Sequence, residues 1–76
     1  MSERIADYQG WKNRQTWNVN LWAMNDEPTY RRVMEGKPYT PETAKKMGEC
    51  LFGDSTPDGD KLKGVDWTEI SEAWNE

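Results

Sequence analysis

Acidic and basic side chains supply most of the chemistry available to this 76-residue chain, because histidine is absent and Cys50 is the only cysteine. Without histidine the chain lacks the commonest general base and the commonest metal ligand. One cysteine without histidine also excludes the usual zinc ligand sets and nucleophile pairs. We therefore expect a protein that is not an enzyme, with no catalytic residue, metal or cofactor.

The segment from Asp54 to Asp60 resembles the start of a calcium-binding loop. Counted from Asp54, Asp58 stands at position 5 and Gly59 at position 6, as an EF-hand loop requires. However, a proline occupies position 4, and Val65 replaces the closing glutamate at position 12. An ordinary turn-rich loop is the favoured interpretation, with weak adventitious calcium binding as the alternative.

Acidic side chains are concentrated toward the end of the chain. Residues 54–76 carry seven acidic and two basic side chains, a net charge of -5, whereas the whole chain carries -4. Such a surface keeps a small domain soluble, and it can also attract a basic partner. For partner binding, the candidate residues are Asp58, Asp60, Glu69 and Glu72.

Two basic pairs and one further arginine define an alternative function, a small nucleic-acid-binding or regulatory module. Cations that contact phosphates and rings that stack on bases bind single strands together, and Trp11 or Tyr39 would supply the ring. Solvated helix faces are the simpler interpretation, because the chain is acidic and its cations are few. The basic candidates are Arg14, Arg31, Arg32, Lys45 and Lys46.

Four short helices are predicted to position these residues. Polar residues that can cap a helix stand at Asn13, Asp26, Thr40 and Asp66. The first predicted helix extends to about Met24, although the alternation of residues 16–21 also fits a strand. The others run from Glu27 to Met34, from Pro41 to a stop at Gly53, and from Trp67 to Trp74.

Five tryptophans predict how so short a chain builds a core, since a few large rings can replace many aliphatic side chains. We expect one all-α domain over residues 1–76: a compact bundle of three to four short helices, with residues 1–10 as a flexible arm and 54–65 as an acidic loop. Trp11 and Tyr8 are expected to pack over the first helix. The predicted core comprises Trp17, Leu21, Trp22, Met47, Leu51, Trp67, Ile70 and Trp74.

We make further predictions for two small residues of the third helix, Gly48 and Cys50. Gly48 weakens the helix by about 1 kcal/mol relative to alanine, but it can admit a ring from another helix. Cys50 is interpreted as a small buried hydrophobe. With no histidine and a buried thiol, stability and partner binding should be constant from about pH 6 to 8 and indifferent to reductant.

The segment Gly10–Asp26 resembles a family of small uncharacterised proteins associated with bacteriophages, plasmids and their hosts, with the pattern G-W-x-N-x-x-T-W-x-V-x-L-W-x-x-N-D. Residues 65–70, Val-Asp-Trp-Thr-Glu-Ile, are similar to the end of that family. The resemblance covers about half of the chain. It implies a small accessory protein of a mobile element and assigns no chemistry.

This implied origin, together with the acidic residues, suggests a function. We expect a phage-type accessory protein that inhibits a host nucleic-acid-processing or defence complex by binding it, as anti-CRISPR or antirestriction proteins do. Its partner would be a host protein or protein–nucleic-acid complex. No apolar run approaches the ~20 residues of a membrane span, and the first residues do not form a signal peptide, so a cytoplasmic location is expected.

Overall fold

The computed structural model describes residues 10–76, which form an all-α domain. Its helices are α1 (Arg14–Asn25), α2 (Glu27–Glu35), α3 (Pro41–Phe52) and α4 (Trp67–Trp74), with a 3₁₀ turn at Leu62–Gly64 before α4. The predicted fold class is confirmed, and the strand alternative for residues 16–21 is wrong. The described residues contain no helix that is long and apolar enough to cross a membrane.

Each of the four helices begins at the cap that the sequence predicts. In every case a side-chain oxygen accepts a hydrogen bond from the backbone N–H three residues further on, at Asn13, Asp26, Thr40 and Asp66. These bonds satisfy donors that have no partner within a helix. At α3 the Thr43 hydroxyl also accepts from the Thr40 N–H, which completes a reciprocal capping box.

The buried face of α1 differs from the predicted one. Val19 and Ala23 are fully buried, and so are Thr16 and Asn18, whereas three predicted core residues are only half-buried: Trp17, Leu21 and Trp22. These three do not belong to the core cluster formed by the described residues. Small residues at helical spacing let neighbouring helices approach α1 closely, and the bulkier rings lie to the side of that contact.

The predicted core is confirmed where α3 packs against α4. Ile70 and Trp74 are fully buried, while Met47, Leu51 and Trp67 are partly buried and pack against the cluster. The remaining buried apolar residues are Val33, Tyr39, Ala44, Leu62 and Val65. Leu62 and Val65 lie in the segment that the sequence assigns to an acidic loop, so that segment also contributes to the core.

Trp74 is held by polar as well as apolar contacts. The Tyr39 ring meets it edge to face, with ring centroids 5.2 Å apart, and the indole Nε1 donates to Asn20 Oδ1 at 3.2 Å. The Tyr39 hydroxyl donates to the Val33 carbonyl at 2.8 Å, and burial raises the pKa of this phenol. The interior therefore satisfies the polar ends of its large rings.

The third helix confirms one smaller prediction and contradicts another. A Cβ at position 48 would overlap the Trp67 ring, so Gly48 admits a ring from α4, as predicted. Cys50, in contrast, is exposed rather than buried, and Arg32 Nη2 lies 3.5 Å from its Sγ. Trp11 packs against the core, but the expected contact with Tyr8 lies outside the described residues.

Candidate functional site

An acidic groove runs along the outer side of α4. Glu69 and Glu72 share a face of the helix because they are three residues apart, and Glu76 lies just beyond the end of the helix. With the half-buried Trp11 ring they line a groove of about 320 Å³. We call Trp11, Glu69, Glu72 and Glu76 the acidic groove.

The carboxylates of the acidic groove are only partly engaged within the chain. The Lys12 backbone N–H donates to Glu69 Oε1 at 3.0 Å, which ties the segment before α1 to α4. The Lys12 Nζ lies 3.8 Å from a carboxylate oxygen of Asp66 instead. Among residues 10–76, no cation forms a salt bridge with the side chain of Glu72 or Glu76, although Lys37 Nζ donates to the main-chain oxygen of Glu76 at 3.2 Å. The groove therefore presents two glutamate side chains that form no salt bridge, beside an aromatic ring.

The other two predicted partner residues, Asp58 and Asp60, bind α1 instead. Asp58 Oδ2 accepts from Asn18 Nδ2 at 2.9 Å and from Trp22 Nε1 at 3.1 Å. These hydrogen bonds lower the pKa of the Asp58 carboxyl, and the bond from Asn18 has the larger effect. Both oxygens of Asp60 lie 3.0 Å from Arg14 Nε. The structure thus divides the four predicted acids into two pairs with different surroundings.

A tight turn aims Asp58 and Asp60 at α1. The Thr56 N–H donates to the Asp60 carbonyl at 2.9 Å, and the Gly59 N–H donates to the Thr56 carbonyl at 2.8 Å. Gly59 has a φ of 92°, a left-handed conformation that suits glycine. The calcium-like spacing therefore belongs to a turn whose carboxylates bind α1. The described residues contain no group of three or more possible ligands that could hold a metal ion.

The predicted basic candidates do not come together. Arg14 is paired with Asp60, Arg31 lies 3.4 Å from Glu27, and Arg32 lies against Cys50. Tyr39 is buried and cannot stack on a base, so its proposed role as an exposed ring is wrong. Of the five basic candidates, Lys45 is the one that lines a groove, and Lys46 is exposed beside it in sequence.

That second groove has a basic character that the sequence interpretation missed. It encloses about 590 Å³ between the end of α3 and the segment around the 3₁₀ turn. Its charged and aromatic lining residues are Lys45, Lys61, Lys63, Glu49, Asp54 and Trp67. We call these six residues the lysine groove. Lys61 and Lys63 are not among the predicted binding residues, because residues 54–76 are acidic overall. They lie outside the helix that contains Lys45, so helical spacing could not predict that the three lysines meet.

The fold and its two grooves define a small all-α domain with two candidate binding surfaces on different sides of α4. The chain belongs to a protein family of unknown function, DUF7249, whose model matches residues 4–76. No curated protein and no solved structure matches the chain.

Proposed function

We propose that this protein is a non-enzymatic, cytoplasmic accessory protein of a phage or related element that inhibits a host nucleic-acid-processing or defence complex. It acts by occupying a basic site on that complex, in the manner of an anti-CRISPR or antirestriction protein. The observation that carries the proposal is the acidic groove, with its carboxylates and one tryptophan ring.

The acidic groove suits the side chains that line nucleic-acid channels. Lysine and arginine are attracted by the carboxylates of Glu72 and Glu76, and a cation placed over the Trp11 ring gains about 0.5–2 kcal/mol more. The net charge of -4 steers the whole chain toward a basic surface. Because Asp58 and Asp60 bind α1, we assign the contact to Glu69, Glu72, Glu76 and Trp11 rather than to all four predicted acids.

Charge reversal at Glu72 tests this proposal. Glu72 and Glu35 are both exposed, and neither side chain has a described hydrogen bond or salt bridge. Glu72→Lys and Glu35→Lys therefore change the net charge equally, inside and outside the groove. Tagged wild-type protein and the two variants would be used for affinity capture from host extract, with mass spectrometry of the retained proteins.

We expect one host complex to be retained by wild type and Glu35→Lys and to be lost with Glu72→Lys. With that complex purified, association should be slower and less salt-sensitive for Glu72→Lys, because complementary charges act mainly on the on-rate. Wild-type protein should also displace nucleic acid from the complex. Equal capture by the two variants, or binding without displacement, would contradict the proposal.

A further inference from the structure

The lysine groove contains cations that the fold does not use. Lys45, Lys61 and Lys63 are all exposed, and none forms a salt bridge among the described residues. Lys45 comes from α3, whereas Lys61 and Lys63 come from the segment that leads to α4. Tertiary packing therefore brings three unpaired cations together around one groove of about 590 Å³.

Trp67 supplies an aromatic surface in the same groove. It is half-buried, because part of its ring lies against Gly48, and it also lines the groove. Anchoring against the Gly48 backbone fixes the ring in place, so a ligand that stacks on it would not have to order a free side chain first. A ring beside lysines is the combination used to bind single-stranded nucleic acid, where bases stack and phosphates contact cations.

Two carboxylates in the lysine groove restrict which ligands it can bind. Glu49 and Asp54 would repel a ligand that carries only phosphates, but they can accept hydrogen bonds from the exocyclic amino group of a base such as cytosine. A ligand with a flat base, amino groups and phosphates can interact with the tryptophan, the carboxylates and the lysines of the groove. The volume lies within the range of roughly 300–1,000 Å³ typical of ligand sites.

We propose that the lysine groove binds a nucleotide unit of a single-stranded nucleic acid, with its phosphates on Lys45, Lys61 and Lys63 and its base against Trp67. A double strand is disfavoured, because its bases are stacked on each other and cannot reach the ring. The inference does not depend on the acidic groove, which lies along the outer side of α4 and shares no lining residue with it.

Fluorescence anisotropy of a labelled 12-residue oligodeoxycytidylate tests the site. The groove variant is Lys61→Gln/Lys63→Gln, and the control is Arg31→Gln/Lys46→Gln, which removes the same charge elsewhere on exposed positions. We expect the groove variant to bind at least about tenfold more weakly at 50 mM salt. Its slope of log K against log salt should fall by about 1.4, since each phosphate contact on a single strand contributes roughly 0.7.

Intrinsic fluorescence gives a second readout that does not depend on charge. Stacking of a base on Trp67 should quench part of the tryptophan emission of the wild-type protein, and Trp67→Phe should lose that part of the quenching. Circular dichroism melting curves of each variant establish that it is folded. The lysine variants replace exposed side chains, so they decide the outcome even if Trp67→Phe fails to fold.

Several results would overturn this assignment. Equal weakening in the groove and control variants would show a non-specific charge effect. Tighter binding of a duplex of the same length, or equally tight binding of free cytidine monophosphate, would exclude a single strand as the ligand. Equally tight binding of oligoglutamate would indicate an acidic peptide, and concentration-dependent dimerisation that the groove variant abolishes would indicate the acidic groove of a second copy.

Discussion

The α3–α4 half of the domain and the α1 half use tryptophan differently. Trp74 of α4 is fully buried and meets Tyr39 edge to face, and Trp67 packs on Gly48 of α3. In α1, Trp22 is half-buried and donates a hydrogen bond to Asp58, in the loop that precedes the 3₁₀ turn. The rings of α4 therefore fill space between helices, whereas the indole of Trp22 binds a loop to the side of its helix.

The difference follows from what each helix places at its inner face. The inner face of α1 consists of small or polar residues, among them Thr16, Val19 and Ala23. The Thr16 hydroxyl accepts from the Asp66 N–H at 2.9 Å, which links α1 to the start of α4. A tryptophan at such a contact would push the helices apart. Ring size alone is thus a poor guide to which face of a helix is buried.

The largest expected effect is the loss of the Trp74 ring. Trp74→Ala should lower the free energy of unfolding by about 3–5 kcal/mol, the usual cost of emptying a large buried site. Trp22→Ala should cost no more than about 2 kcal/mol, because it removes half-buried surface and one hydrogen bond. Urea unfolding followed by circular dichroism measures both. Equal losses would show that the two halves use tryptophan in the same way.

Local signals in the sequence predict the helices well, because each helix has its own N-cap residue. Asn13, Asp26, Thr40 and Asp66 all act within three residues of their position, so their role does not depend on the rest of the fold. The burial of Leu62 and the exposure of Cys50 depend on which helices meet. No local pattern contains that information.

The second prediction concerns the contact between Gly48 and Trp67. Alanine is better than glycine inside a helix by about 1 kcal/mol, but the added methyl group would overlap the Trp67 ring. Overpacking of this kind costs about 1–3 kcal/mol, so we expect Gly48→Ala to destabilise the domain. In a Trp67→Leu background the same change should cost less or become stabilising. Thermal unfolding of the four proteins in this double-mutant cycle measures the coupling; additive effects would contradict the contact.

The candidate sites were less predictable than the helices, and the four acids show why. Asp58 and Glu72 have the same charge and lie in the same acidic segment. The turn closed at Gly59 aims Asp58 at Asn18 and Trp22, whereas Glu72 lies on the outer side of α4 with no described partner. Which carboxylate is free to meet another molecule is therefore decided by tertiary contacts with α1.

The third prediction uses pH to separate these two kinds of acid. The hydrogen bonds from Asn18 and Trp22 lower the pKa of Asp58 in the folded protein below its ordinary value of 3.8. The stabilisation is then fully present above that value and is lost as the pH falls through the lowered pKa. Asp58→Asn should therefore lower the melting temperature from pH 5 to 8, and the difference from wild type should shrink below about pH 4.

Asp54→Asn provides the control for this experiment. Asp54 is exposed and its side chain has no described hydrogen bond or salt bridge. Its substitution should therefore leave the melting temperature at acid pH close to that of wild type. For all three proteins the melting temperature should be constant from about pH 6 to 8, because the chain contains no histidine. A constant difference between Asp58→Asn and wild type down to pH 2 would contradict the role given to the carboxylate.

The smallest expected effect on stability is that of substituting Cys50. The exposure of this residue also changes the expectation that the protein is insensitive to reductant. Since the thiol is exposed at the end of α3, Cys50→Ser should change the free energy of unfolding by less than about 0.5 kcal/mol, as for most surface substitutions. The same exposure lets two chains react, because a thiolate must reach the second sulfur for a disulfide to form. Under oxidising conditions the wild-type protein should therefore form a dimer on a non-reducing gel, and Cys50→Ser should remain monomeric. A large loss of stability in Cys50→Ser, with no dimer from wild type, would show that the thiol is buried between helices rather than exposed.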